Sequence, residues 1–228
     1  MEFWIPLAIA AGLSIVSYFS EHFLRFARRW HDGLLSLSAG ILIALLLYKL
    51  IPMLPGIPVL TSVSPAIMLL GFLGFYLAED WVYQHGPRPK LIKNVTAWHA
   101  VGFSIDHAAI IGFTLVLLAD LTQPIELAII SVPFLIHVIA SADSLSKIRK
   151  GIHAGPATEV LLSIMPLIGA AIAVWLSTNT VALWAAFAYI IGALLYLTVR
   201  DVIPPEREDK PLWFVIGLVL TVAALTVI

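Results

Sequence analysis

The chain contains no cysteine among its 228 residues and only four methionines. Disulfide bridges and thiolate metal sites are therefore excluded, and a copper(I) site built from sulfur ligands is disfavoured. Phosphate-binding loops and nucleophile-elbow motifs are also absent, so ATP-driven transport is not indicated. Charge is scarce as well, because 12% of the residues are charged and the net charge is −1.

Apolar residues dominate what is present: 61% of the chain is hydrophobic and the mean hydropathy is +0.99. Soluble domains of this size do not have such a composition. Eight apolar runs each have about the 17–25 residues that cross a bilayer as a helix. They cover residues 3–20, 33–54, 64–84, 95–119, 124–146, 156–177, 180–200 and 211–228. We predict an all-α polytopic membrane protein, one domain over 1–228, whose first run is retained and is not a signal peptide.

Lysine and arginine indicate the orientation of these helices. Twelve of the thirteen fall in every second connection between runs, and the remaining one is Lys49. Because cytoplasmic loops retain positive charge, these connections are predicted to be cytoplasmic and both termini non-cytoplasmic. The basic loops are thus topology signals, and we expect the lipid bilayer of the cell membrane, not a nucleic acid, as a partner. Glu79 and Asp80, at the inner end of the third run, are expected to be interfacial.

Ionisable residues lie inside the fourth run. Placing a charged side chain in hydrocarbon costs free energy, so such residues indicate a functional site. At about 100° per residue, His99 and Asp106 fall on one face of the predicted helix, and His107 lies to the side of that face. Asp106 is expected near mid-membrane and His99 near the cytoplasmic end. This run therefore supplies three candidate metal ligands.

The fifth run carries a second polar stripe. His137 and Ser141 are four residues apart and share a helix face, whereas Asp143 projects to the side. His137 is expected near mid-membrane and Asp143 at the inner level. Glu159, near the start of the sixth run, is either a further ligand or a carboxylate favoured by the helix dipole.

Residues 39–52 and 191–204 form an internal match, each with Gly, eleven residues and then Pro. The second helix is predicted to run outward and the seventh inward, so this repeat has inverted topology, as in many secondary transporters. Helices 1–3 and 6–8 would then form two halves around helices 4 and 5. A chance match of two apolar helices that end in Ile-Pro is the alternative.

The stretches 34–52, 69–86 and 187–206 resemble the second, third and seventh helices of the ZIP (Zrt/Irt-like) family of divalent metal transporters. In the family, motifs on the fourth and fifth helices bind two metal ions. The matching stretches here retain an acid at Asp106 and a histidine at His137. The resemblance implies a transported divalent metal ion, no tightly bound cofactor and no enzymatic activity.

Imidazole nitrogen and carboxylate oxygen are ligands that suit zinc, and also Fe(II) or Mn(II). We take zinc as the leading substrate, held by an open shell that water completes. The candidate ligands are Asp106, His137, His107, His99, Asp143, Ser141 and Glu159.

Other interpretations stay open at this stage. A degenerate ZIP-like protein that does not conduct metal, acting as a scaffold, a regulator or a carrier of another solute, is favoured by the replaced motif residues and by Lys49. An intramembrane metal-dependent hydrolase would use Ser141 beside His and Asp. Asp106 and His137 would instead be structural if each found a partner inside the bundle. Homodimerisation is a further option that the sequence leaves open.

Overall fold

The structure is a computed structural model. It describes residues 3–27, 31–54, 62–85, 91–119, 123–142, 145–146, 150, 155–202 and 210–227. Within these ranges, the side chains of 21–27, 31–32, 91–96, 99, 106, 109–110, 200–202 and 227 are outside the description. The described backbone is helical, joined by turns, and no strand occurs in it. The predicted all-α class is confirmed for this part of the chain.

The helices fall within or across the eight apolar runs. We number them α1 (Trp4–Ala27), α2 (His31–Ala44, continued by Leu45–Leu50 and Ile51–Met53), α3 (Ser64–His85), α4 (Leu91–Asp106, continued by His107–Phe113 and Thr114–Ala119), α5 (Pro124–Ala140), α6 (Pro156–Ser163 and Met165–Leu176), α7 (Thr180–Val202) and α8 (Pro211–Val227). The middle stretches of α2 and α4 are π-helical.

Three helical segments among the described residues are long and apolar enough to cross a membrane. They are Gly33–Met53, Ser64–His85 and Thr180–Val199, and the two arms of α6 make a fourth if they form one span. Shorter apolar helices cover Trp4–Ser20, Pro124–Ala140 and Pro211–Thr226. The chain is therefore compatible with a membrane protein, and the predicted total of eight spans stays a prediction.

The bundle has an apolar outside and polar groups inside. Leu70 and Leu220 are 62% and 61% exposed, whereas Ser20, His107 and Ser163 are fully buried. Extended apolar surface of this kind is rare on soluble monomers, and inward-facing polar groups are usual in membrane bundles. This distribution supports a hydrocarbon environment for the outer face.

Glycines allow the backbones of three helix pairs to meet. A Cβ atom at Gly71 of α3 would overlap the carbonyl oxygen of Tyr189 on α7, and one at Gly192 of α7 would overlap that of Met68 on α3. The same reciprocal contacts join Gly40 of α2 with Gly217 of α8, and Gly112 of α4 with Gly169 of α6. Because small residues let membrane helices approach closely, these crossings set the spacing of the bundle.

The paired helices α2 and α8 run in the same direction. A Cβ at Gly33 would contact the Trp213 ring, and one at Gly40 would contact Phe214 and Leu218 further along α8. In α3 and α7, the contact of Met68 with Gly192 is followed by a hydrogen bond between Glu79 and Tyr196. Both pairs are therefore parallel.

The second half of α4 is enclosed by its neighbours. Every residue of 111–118 is buried, and α4 packs against α6 through its π-helical stretch, which overlaps the start of this segment. Helix α5 buries Ile130, Phe134 and His137 while it exposes Ile125 and Val132. His107 and Thr114 of α4 and His137 of α5 thus lie on packed surfaces.

A break in α6 is stabilised by a serine of α1. The two arms meet at Ile164 with a bend of 55°, and Pro166 lies directly after the break. Proline lacks the N–H that an uninterrupted helix requires. Ser14 Oγ accepts a hydrogen bond of 3.3 Å from Leu167 N–H, and its own hydroxyl donates to Ala10 O. A side chain of α1 therefore replaces a backbone acceptor that the bend removes.

We expect Gly192→Ala to destabilise the protein, since its new methyl group would overlap the Met68 carbonyl. The free energy of unfolding should fall by about 1–3 kcal/mol, as for other overpacked contacts. The matched control is Gly12→Ala in α1, where a Cβ meets nothing within 4 Å. That control should be neutral or stabilising by up to about 1 kcal/mol, because alanine favours helix. Thermal unfolding in detergent measures both, and equal midpoints for the two variants would contradict the close crossing.

Candidate functional site

Two histidines face each other between α4 and α5. His107 is the first residue of the π-helical stretch in α4, and His137 lies in the last turn of α5. Their ring centroids are 5.1 Å apart with a tilt of 40°. His107 is 0% and His137 is 5% exposed. Two imidazoles are therefore held together in the interior of an apolar bundle.

Each imidazole has one nitrogen in contact with a buried serine. Ser38 Oγ of α2 lies 2.9 Å from Nδ1 of His137, and Ser141 Oγ at the end of α5 lies 3.0 Å from Nε2 of His107. Ser141 Oγ also donates to the carbonyl of Val138 over 3.1 Å. These contacts connect three helices through hydrogen bonds that do not depend on solvent.

An aromatic ring fixes the orientation of His107. Phe103 precedes His107 by one helical turn, and the two rings stack with centroids 3.9 Å apart and a tilt of 22°. Side chains four residues apart lie on the same helix face, so this contact follows directly from the sequence spacing. The stack covers a face of the imidazole and limits its rotation.

The backbone of α4 changes geometry at the site. The π-helical stretch begins at His107 and ends at Phe113, and such stretches are rare and often lie at functional sites. Gly112 and Gly169 meet along the same stretch, where α6 crosses α4. The wider helical turn and the close crossing together position His107 toward α5.

The structure unites part of the predicted ligand set. His107, His137 and Ser141 lie together, as described above. The backbone of α4 includes His99 and Asp106, but their side chains lie outside the described residues, as does all of Asp143. These three predicted ligands therefore stay predictions.

Glu159 lies in the first turn of α6, where its N–H donates to Gly155 O over 3.1 Å. Its side chain is half-buried. A carboxylate in the first helical turn is favoured by the helix dipole, which fits the structural interpretation of this residue.

No group of three or more His, Cys, Asp or Glu that could hold a metal ion occurs among the residues whose side chains are described. The two imidazoles are thus a partial ligand set. A complete shell would take further ligands from side chains beyond the description, such as Asp106, or from water.

The ring separation fits a shared ion. With zinc–nitrogen bonds of about 2.1 Å, two imidazoles on one tetrahedral ion have ring centres roughly 5 Å apart. The observed separation is 5.1 Å. Metal-binding histidines also direct their second nitrogen to an outer hydrogen-bond partner, a role that Ser38 and Ser141 can fill.

Sequence reasoning missed Ser38 and Phe103 as parts of the site. Ser38 is a polar residue within an apolar helix, which is the one signal that could have identified it. Glu79 is also more enclosed than an interfacial residue need be, since it is 6% exposed and accepts a hydrogen bond of 3.1 Å from Tyr196. The positions of Ser38 and Glu79 depend on which helices face each other, whereas the Phe103 stack lies within α4.

A scan against protein-family models finds no match, and a search of curated proteins finds none either. The histidine pair is therefore the feature of this chain that bears most directly on function.

Proposed function

We propose that the chain is a ZIP-like membrane transporter that moves a divalent transition metal ion through the site formed by His107 and His137. Zinc is the leading substrate. The observation that carries the proposal is the pair of buried imidazoles 5.1 Å apart. Ionisable groups inside membrane spans are rare, and they mark a functional site by default.

The ligand chemistry supports a transported ion. Neutral imidazole binds zinc, Fe(II) and other borderline metals, and conduction requires a site from which the ion can also leave. Two imidazoles completed by water or by Asp106 would be such an exchangeable site. The metal is then a substrate, and no resident cofactor is proposed.

Eight alternating spans are part of this proposal. In such a topology all even-numbered helices run in one direction and all odd-numbered helices in the other. The parallel packing of α2 with α8 and of α3 with α7 is consistent with that requirement. We propose one domain in the cell membrane, with both termini outside, and the inverted repeat around α4 and α5 belongs to the same proposal.

An enzymatic role is less well supported. Ser141 Oγ and Nε2 of His107 are 3.0 Å apart, which is the distance of a nucleophile from its base. However, the Ser141 hydroxyl also donates to the carbonyl of Val138, an acceptor that competes with the imidazole for its single proton. Since Ser141 is also buried, with 9% of the residue exposed, we do not propose a hydrolase.

One observation favours a second candidate, a ZIP-like protein that does not conduct metal. Serines already contact one nitrogen of each histidine, and the described side chains offer no third ligand of the His, Cys, Asp or Glu type. In this candidate the network joins α2, α4 and α5 as a structural element. Transport measurements separate the two functions directly.

We expect purified protein in liposomes to take up zinc, and expect His107→Gln and His137→Gln to reduce the initial rate by at least about tenfold, because each removes a ligand. The matched control is His85→Gln, which alters an exposed histidine stacked on Trp81. This control should transport like the wild type. Fluorescent zinc indicators inside the vesicles report the rate.

Thermal unfolding of each variant shows whether a lost rate reflects misfolding. If the wild type takes up zinc and both His variants do so at the same rate, the proposal that the ion passes through the histidine pair is wrong. Absence of uptake for all tested divalent metals would favour the non-conducting candidate.

The proposed topology can be tested with single cysteines, because the natural chain has none. We expect Ser62→Cys and Thr122→Cys to react with a membrane-impermeant maleimide applied outside intact cells. Arg88→Cys and Lys150→Cys should react only after permeabilisation. Labelling of Arg88→Cys from outside, with Thr122→Cys protected, would contradict the predicted orientation.

A further inference from the structure

Two contacts of Ser141 bear on the direction of its hydrogen bond with His107. Ser141 Oγ lies 3.1 Å from the carbonyl oxygen of Val138 and 3.0 Å from Nε2 of His107. A carbonyl can only accept, so the single hydroxyl proton of Ser141 is directed to Val138. The hydroxyl oxygen then accepts a hydrogen bond from Nε2–H. In this arrangement a neutral His107 carries its proton on Nε2 and its lone pair on Nδ1.

Packing makes this arrangement hard to reverse. A flip of the imidazole about its Cβ–Cγ bond would exchange Nε2 with a ring carbon and remove the hydrogen bond to Ser141. His107 is 0% exposed, so solvent does not compensate for that loss. The stack on Phe103 at 3.9 Å also limits rotation of the ring.

We propose that Ser141 is a positioning residue that selects Nδ1 of His107 as the nitrogen that binds the ion. The identity of the ligand rests on the transport function proposed above. Histidines that bind metal commonly donate their second N–H to an outer partner, which fixes the tautomer and the ring orientation. Ser141, predicted from the sequence as a ligand, acts in this assignment through His107 and does not contact the ion.

Ser38 differs from Ser141 and serves as an internal comparison. Its hydroxyl lies 2.9 Å from Nδ1 of His137, and either atom can be the donor in this contact. Among the described hydrogen bonds, none commits the Ser38 proton to a carbonyl. Ser38 therefore does not fix the tautomer of His137 in the way that Ser141 fixes that of His107.

The tautomer can be read without any metal. Full-length protein with isotope-labelled histidine is studied by NMR at about pH 8, where an ordinary imidazole is neutral and its two nitrogens give distinct signals. His107→Gln assigns the relevant signals by their disappearance. We expect the Nε2–H tautomer for His107 in the wild type, and a mixture or the Nδ1–H tautomer in Ser141→Ala.

Zinc affinity supplies the second readout, measured by calorimetry on the same proteins. Ser141→Ala should weaken zinc binding by about 10–100-fold, as for other outer partners of metal-binding histidines. Ser141→Thr keeps a hydroxyl and should restore both the tautomer and the affinity. The matched control is Ser131→Ala, which removes a hydroxyl of α5 that donates to Leu127 O over 2.7 Å. It should change neither quantity.

An Nδ1–H tautomer in the wild type would overturn the assignment, even if zinc binds. So would an unchanged tautomer and affinity in a folded Ser141→Ala variant. If the wild type has the expected tautomer but binds no zinc, the proposed function fails, and the ligand role of Nδ1 fails with it. The two readouts therefore distinguish failure of the positioning role from failure of the function.

Discussion

The rest of the site depends on the hydrogen bonds that two serines form with two buried imidazoles, at one nitrogen of each ring. An unpaired polar group inside an apolar bundle costs about 1–3 kcal/mol, so His107 and His137 need partners wherever they are placed. Ser141 and Ser38 supply those partners at 3.0 Å and 2.9 Å. Because Ser38 belongs to α2, Ser141 follows α5 and His107 belongs to α4, the same contacts hold the three helices in register. One network thus sets both the packing of these helices and the surroundings of the histidine pair.

That network requires helices that approach one another closely. Reciprocal glycines place backbone against backbone in three helix pairs, and the pair Gly112 and Gly169 lies beside the π-helical stretch that begins at His107. Ser14 of α1 meanwhile accepts a hydrogen bond from the Leu167 N–H, which lies directly after the bend in α6. A polar side chain therefore compensates for the bend in α6, and another departure from regular helix, the π-helical stretch of α4, begins at His107 itself.

The all-helical class could be predicted from composition, because long apolar runs leave few alternatives. Close packing at Gly40, Gly71, Gly169 and Gly192 agrees with the usual role of small residues in membrane bundles. The site was predicted only in part. Helix phase alone grouped His137 with Ser141, but it could not show that Ser141 contacts His107 on another helix. Ser38 was missed for the same reason, since contacts between helices depend on packing that a single helix's periodicity does not contain.

The central claim is that an ion binds between His107 and His137, and anomalous X-ray scattering from crystals grown with zinc tests it most directly. The account predicts an anomalous peak within about 2.1 Å of one nitrogen of each imidazole, the usual zinc–nitrogen distance. A His137→Gln crystal should lose that peak. Zinc found only at exposed positions such as His85, with the histidine pair still hydrogen-bonded to its serines and no ion between the rings, would contradict the account.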